Sequence, residues 1–401
     1  MSMQLAPSGH IPSLDGIRAV AILIVFAAHA GISAAIPGGF GVTVFFFLSG
    51  YLITHLLHRE FMRTGGVDLP AFYMRRLLRL GPPILVTLAV GAVLVWAGLF
   101  QGEVEWRTLS SQVFFYYNYF AQYGDRHEIF GTEILWSLSV EEHFYLLWPA
   151  LFLGIARGWV GLRFLGLLLG ISLVWRWVRF SVLGHDELAI YLSSDTRMDG
   201  LLYGCLLALA EARGVAARWF PQGRGRFALL LGAALVILVS FALRDALFRS
   251  TLRYSLQGAA LMPLFYYAVT RAGEWPFRAL NAGWLRQIGV WSFTIYLCHF
   301  GVIIALEAHG VAVGSWQMVV AAAAISVIYA AAVAWLVERP MMRWRRLWAR
   351  RGGRWANCPP YGCDGPHQSR RSTMDLVRST PCSESLAIAS AQVSSVISVS
   401  A

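Results

Sequence analysis

Apolar runs of roughly 18–22 residues, separated by short polar stretches, recur along most of the chain. A run of that length lets a helix cross a hydrocarbon layer about 30 Å thick. Backbone N–H and C=O groups facing lipid must be paired within the segment, so such runs are read as helices. The pattern predicts ten of them: 15–34, 40–58, 80–100, 135–156, 162–182, 197–211, 226–243, 255–271, 286–307 and 316–337. The shortest is 197–211. The expected fold class is therefore all-α, a polytopic integral membrane protein with about ten transmembrane helices. Residues 1–340 read as one transmembrane domain and 341–354 as a basic juxtamembrane segment. Residues 355–401 form a Ser-, Pro- and Gly-rich tail without helical periodicity, expected to be disordered. No internal repeat stands out.

Composition sharpens this picture. Of 401 residues, 57% are hydrophobic and only 14% charged, against about 25% charged in a soluble domain. The net charge is +11, and every basic residue is arginine. No basic stripe or nucleic-acid motif accompanies that charge, so nucleic acid is not an expected partner. The arginines instead crowd alternate loops. Arg59, Arg63, Arg75, Arg76 and Arg79 fall in one, and later loops of the same parity carry Arg213, Arg218, Arg224 and Arg226, then Arg271, Arg278 and Arg286. By the positive-inside rule that side is cytoplasmic, and an even number of spans puts both termini there. The five cysteines suggest neither a disulfide framework nor a zinc site, and no metal is expected. Arg18, the following apolar run and Ala28-His29-Ala30 mimic a signal peptide. The run passes directly into a second membrane segment, so it is read as retained.

Four groups of polar residues interrupt the apolar pattern. Asp15, Arg18 and His29 lie on the first predicted helix, and ionisable groups inside a membrane mark function by default. Arg18 and His29 are eleven residues apart, which is three turns plus about 20°, so they share one face about 16 Å apart along the axis. Arg76 and Arg79 are three apart in the loop before the third helix and would share a helical face. Their planar guanidinium groups suit phosphate, although on spacing alone ordinary juxtamembrane charge is the better explanation. The run Trp136-Ser137-Leu138-Ser139-Val140-Glu141-Glu142-His143 sets two carboxylates and an imidazole about two turns into the fourth helix. Either carboxylate could orient a catalytic histidine, and the direction of that helix puts them at the expected depth of His29. Asp195, Arg197 and Asp199 enter the sixth helix, and His299 lies within the ninth. These four could bind acceptor hydroxyls or pair among themselves.

Taken in order, these residues resemble the membrane-bound acyltransferase-3 family, which includes O-antigen and exopolysaccharide acetyltransferases and macrolide acyltransferases. The resemblance rests on Leu14-Asp15-Gly16-Ile17-Arg18 with His29, the run Gly41 to Thr54, Arg76-x-x-Arg79, Trp136 to Pro149, Asp195 to Gly204, Ser292 to His299 and Glu338-Arg339-Pro340. It departs from the family pattern at His143, where glutamine is usual. The SGNH-type domain appended in some members is absent, so a single enzyme domain is expected. The resemblance implies ten core helices, no bound cofactor, and acyl-coenzyme A (acetyl-coenzyme A) as cytoplasmic co-substrate. It also implies essential roles for Arg18, His29, Arg76 and Arg79, a location in a bacterial inner membrane, and a carbohydrate or glycoconjugate acceptor.

The expected mechanism divides the labour. Arg76 and Arg79 hold the coenzyme A phosphates, Arg18 lines the passage of the pantetheine arm, and His29 acts as general base with Glu141 or Glu142 orienting it. A covalent acyl-histidine is an open alternative. A transporter or flippase is the main competitor from another class, because intramembrane charges also mark substrate paths. Carriers often show internal repeats and Gly/Pro-broken helices, which are not found here. A small secondary metabolite such as a macrolide is an alternative acceptor.

Overall fold

A computed structural model describes residues 11–100, 102–124 and 131–343. The basic segment beyond residue 343, the tail 355–401, and Asp125 and Glu128 between the third and fourth predicted segments lie outside the described residues. Among the described residues there are helices and no strands. In chain order the helices are α1 (Pro12–His29), α2 (Gly38–Thr64), α3 (Leu69–Trp96), α4 (Trp106–Val113), α5 (Tyr117–Tyr123), α6 (Trp136–Ala156), α7 (Leu162–Trp177) and α8 (Glu187–Leu192). They continue with α9 (Ser194–Arg197), α10 (Asp199–Ala212), α11 (Ala216–Trp219), α12 (Arg224–Ala242), α13 (Ala246–Ser250), α14 (Leu252–Thr270), α15 (Gly283–Ala308) and α16 (Trp316–Val333). Helices α7 and α16 each run on into a π-helical turn, Val178–Val182 and Ala334–Glu338.

Each of the ten predicted segments is occupied by a helix, but two boundaries differ usefully. The third begins at Leu69 rather than 80, which puts Arg75, Arg76 and Arg79 on a helix and not in a loop. The cause is local. The Asp68 side chain accepts the Ala71 N–H as an N-cap, and Pro70 occupies the first turn, where its missing N–H costs nothing. The helix then continues through Pro82 and Pro83. The connection between the third and fourth predicted segments, residues 101–134, also contains structure: α4, α5 and a 3₁₀ turn at Glu133–Leu135.

The protein is a multi-pass membrane protein. Among the described residues, seven helices are long and apolar enough to cross a membrane: Pro12–His29, Gly38–Thr64, Leu69–Trp96, Leu162–Val182, Arg224–Ala242, Gly283–Ala308 and Trp316–Arg343. Their burial sorts them. The apolar windows of α1, α2 and α15 are 50%, 67% and 56% buried, whereas those of α3, α7 and α12 are each 17% buried. The first three are central, and the last three turn leucines such as Leu77, Leu167 and Leu231 outward. Such an apolar exterior suits lipid as its solvent.

Packed pairs reveal the relative directions. Helices α1 and α15 run parallel, with Gly289 against Asp15 and His299 against His29. Helices α2 and α10 are also parallel: Phe46 meets Gly200, Gly50 meets Cys205 and His55 meets Glu211. Helix α6 runs parallel to α2 through Phe46–Trp136, Ser49–Glu141 and Phe61–Phe152. Helix α3 runs against α6, since Tyr73 bonds Leu146 while Arg76 covers Tyr145.

Small residues permit these approaches. A Cβ on Gly50 would overlap the Leu201 carbonyl, and one on Gly204 would overlap the Phe47 carbonyl. This is the small-residue helix contact common in membranes, where lipid offers no hydrophobic drive and close packing must supply the attraction. Gly204→Val should therefore destabilise the protein by about 1–3 kcal/mol or more, the usual overpacking cost. The check is thermal unfolding in detergent beside Gly232→Ala. Nothing lies within 4 Å of a Cβ at Gly232, so this variant should unfold no earlier than wild type.

Candidate functional site

His29 ends α1, and the parallel packing of α15 brings His299 beside it. The two imidazoles stack with centroids 5.1 Å apart and planes inclined by 15°. His29 Nδ1 lies 2.9 Å from His299 Nε2. His299 Nδ1 lies 3.1 Å from the Ile295 carbonyl and 2.8 Å from that of Tyr296. Carbonyl oxygens only accept, so His299 carries its proton on Nδ1. Its Nε2 is then an acceptor, and His29 must donate from Nδ1. The remaining nitrogen of His29, Nε2, is left with a lone pair. The backbone of α15 thus sets the tautomer of a histidine on α1, a role given to a carboxylate in many catalytic triads.

His29 lines a cavity of about 260 Å³ together with Gly39, Trp136, Tyr191, Tyr296 and Phe300, among others. Its walls come from α1, the start of α2, α5, α8 and α15, with Glu133 of the 3₁₀ turn. The Tyr296 hydroxyl donates to the Ile134 carbonyl at 2.9 Å and lies 2.8 Å from Ser137 Oγ. Burial pushes the Tyr191 hydroxyl up to about 12, so it remains a neutral donor at physiological pH. An aromatic recess with a few polar groups is the usual lining of a small-molecule or sugar site.

A second cluster lies deeper along α1. Arg18 pairs with Asp15 at 2.8 Å. Arg76 covers the Tyr145 ring at 4.3 Å. Arg79 is exposed and within electrostatic reach of Arg18, Arg76 and Glu338. The three predicted arginines therefore gather from two helices. Glu141 belongs with them. It accepts from Ser49 Oγ and from the Tyr145 hydroxyl, each at 3.1 Å, and both it and Glu142 face the charge of Arg76.

That placement corrects the expected depth of Glu141 and Glu142. They stand with the arginines and not beside His29, because Trp136 occupies the His29 level and the helix descends about 1.5 Å with each further residue. The group that orients His29 is His299, which sequence reasoning had placed among acceptor contacts. Helical spacing alone could not pair two histidines 270 positions apart.

The two aspartates do not pair with Arg197, and neither lines the His29 cavity. Asp195 accepts from Arg179 at 2.9 Å, Trp175 at 2.6 Å and Tyr119 at 3.2 Å. Asp199 takes Arg176 at 2.6 Å, both side chains being fully buried. His143 bonds Ser194 Oγ at 2.7 Å and stacks on Tyr119. The departure from glutamine thus falls in the network that ties α5 to α9.

The profile of a family described as an acyltransferase domain matches residues 11–339. The chain is 31% identical over 316 residues to peptidoglycan O-acetyltransferase OatA of Listeria monocytogenes, an alignment covering 73% of this chain and 49% of that protein. It is 28% identical over 336 residues to O-acetyltransferase OatA of Staphylococcus aureus, covering 75% of this chain and 52% of that one. The chain spans about half the length of these curated relatives. No solved structure matches it.

The tautomer assignment can be measured directly. Nitrogen-15 spectra of histidine-labelled protein should show His29 protonated at Nδ1 and bare at Nε2. His299→Phe removes the acceptor and should redistribute the proton toward Nε2. A wild-type His29 protonated on Nε2 would refute the assignment.

Proposed function

Because the chain belongs to the membrane-bound acyltransferase-3 family, we propose that it is an O-acyltransferase using acyl-coenzyme A, acetyl-coenzyme A in the first instance, to acylate a hydroxyl of a carbohydrate or glycoconjugate. One observation carries the reading: the bare Nε2 of His29 at the wall of an aromatic cavity. An imidazole held in that tautomer is a base suited to neutral pH. The acceptor hydroxyl loses its proton to His29 Nε2 while its oxygen bonds to the thioester carbonyl carbon. The C–S bond then breaks, and coenzyme A leaves as a thiolate that takes the proton back from the imidazolium. His299 continues to accept the Nδ1–H throughout, so the charged ring keeps its orientation. The names of the relatives, O-acetyltransferases, one of peptidoglycan, favour acetyl as the acyl group and a cell-wall glycan as the acceptor class.

The arginine cluster is the proposed donor site. Arg18 is about 16 Å along α1 from His29, a separation that an extended pantetheine arm can bridge. Arg79 is exposed and has no salt-bridge partner among the described residues, which leaves its guanidinium available to phosphate. We further propose ten crossings with both termini in the cytoplasm of a bacterial inner membrane. The directions of the packed pairs support this: α2, α6 and α10, the second, fourth and sixth predicted spans, all run the same way.

Purified protein in detergent should consume acetyl-coenzyme A, and His29→Ala should lower that rate by about 10²–10⁴-fold, the usual contribution of a general base. Donor affinity should be retained in that variant. Turnover by His29→Ala at the wild-type rate would sink the proposal. Absence of thioester loss with any acyl donor and glycan would instead favour a transporter. Arg79→Ala should weaken coenzyme A binding about tenfold or more, as expected for one charge-assisted hydrogen bond. It should also flatten the salt dependence of binding. Unchanged affinity would remove Arg79 from the donor site.

A further inference from the structure

Beside the His29 cavity lies a second, larger one of about 410 Å³. The two share Gly39, Leu188 and Tyr191. Tyr191 borders both, and a Cβ on Gly39 would touch its hydroxyl at 3.0 Å. The chemistry of the second cavity differs from that of the first. Arg249 and Arg253, from α13 and the start of α14, line it together with Glu187, Tyr254 and Gln257. Glu187 is committed to Arg249 at 3.2 Å. Arg253 has no carboxylate partner among the described residues; it donates to the Tyr254 hydroxyl at 3.1 Å and lies over that ring.

Behind the wall stands Arg197. It is 1% exposed, and its guanidinium lies 3.9 Å from the Tyr254 centroid and 4.9 Å from that of Tyr191, both cavity residues. It donates to Thr43 Oγ1 at 3.2 Å, while its Nη1 has no hydrogen-bond partner. A buried cation held by four rings and one hydroxyl is costly unless something negative answers it. Its neighbours Arg176 and Arg179 are both answered by aspartates. Arg197 is not, and two of the rings it lies over, Tyr191 and Tyr254, line the second cavity.

We propose that this second cavity receives an acidic group of the acceptor, a carboxylate or a phosphate, while the hydroxyl to be acylated lies against His29 in the first. Arg253 supplies the direct contact, and Arg197 adds its field through a wall of low dielectric, where charge acts over longer range than in water. The enzyme thus selects anionic glycans. Tyr191, which borders both spaces, sets how far the acidic group stands from the reacting hydroxyl. The inference rests on the acyltransferase reading and deepens it.

Binding to the full chain in detergent tests it, with digalacturonate, maltose 1-phosphate and neutral maltose as probes. Wild type should prefer at least one acidic probe over maltose by tenfold or more, with the preference weakening as salt rises. The acidic probe that is preferred identifies the group. Arg253→Gln should abolish the preference and leave maltose affinity unchanged, and Arg253→Lys should keep most of it. Equal binding of all three probes, binding of none, or an equal loss for all three in Arg253→Gln would overturn the proposal. His29-dependent consumption of acetyl-coenzyme A, measured without sugar, judges the acyltransferase reading separately. If that activity persists in a protein that shows no acid preference, only the second cavity loses its role.

Discussion

The close parallel contact between α1 and α15 is the constraint on which the candidate site depends. Gly289 has no side chain where Asp15 passes, and any Cβ there would collide with the Asp15 backbone. That approach aligns two helices far apart in sequence so that His299 meets His29 about three turns further on. Once there, the carbonyls of Ile295 and Tyr296 dictate the proton position on both rings. A backbone feature at one end of the pair thus governs acid–base chemistry at the other. Helices α2 and α6 then complete the cavity wall through Gly39 and Trp136.

Charge within an apolar bundle imposes a second order. The desolvation of an ion is so costly that buried charges need partners, and most are supplied here. Asp195 and Asp199 neutralise Arg179 and Arg176, Glu211 accepts from Tyr51 and His55, and Asp15 holds Arg18. These pairs join helices and position loops without lining the His29 cavity. The groups that stand apart from this pairing are therefore informative. Arg79 is exposed beside Arg18 and Arg76, and Arg197 is buried among rings. They lie in different clusters.

The loop segments carry more of the site than their polarity suggests. Helices α5 and α8 sit between the spans, and both contribute walls to the cavity. Asn118 of α5 donates to the Leu192 carbonyl and to Ser194 Oγ, tying the two connections together. The bonded Leu192 adjoins Tyr191, which lines both cavities.

The sequence by itself determined the all-helical membrane class and the approximate position of ten helices, because the length of an apolar run is a local property matched to bilayer thickness. It also singled out Arg18 and His29, since an ionisable residue in such a run is conspicuous without any knowledge of its neighbours, whereas Arg76 and Arg79, read in a loop, stood out only through the family resemblance. The start of α3 was less legible. An Asp-Leu-Pro cap is a local signal, but the arginines that follow it masked the helix. Partnership was decided only by the tertiary structure. That His299 orients His29, that Glu141 and Glu142 stand with Arg76, and that two arginines of α7 take the aspartates and leave Arg197 unanswered all depend on which helices pack together and at what height. Contacts across 92 or 270 positions, as between Ser49 and Glu141 or between His29 and His299, leave no trace in periodicity or spacing. They exist because glycines let particular helix pairs approach, and that choice is made by the packing of the whole bundle.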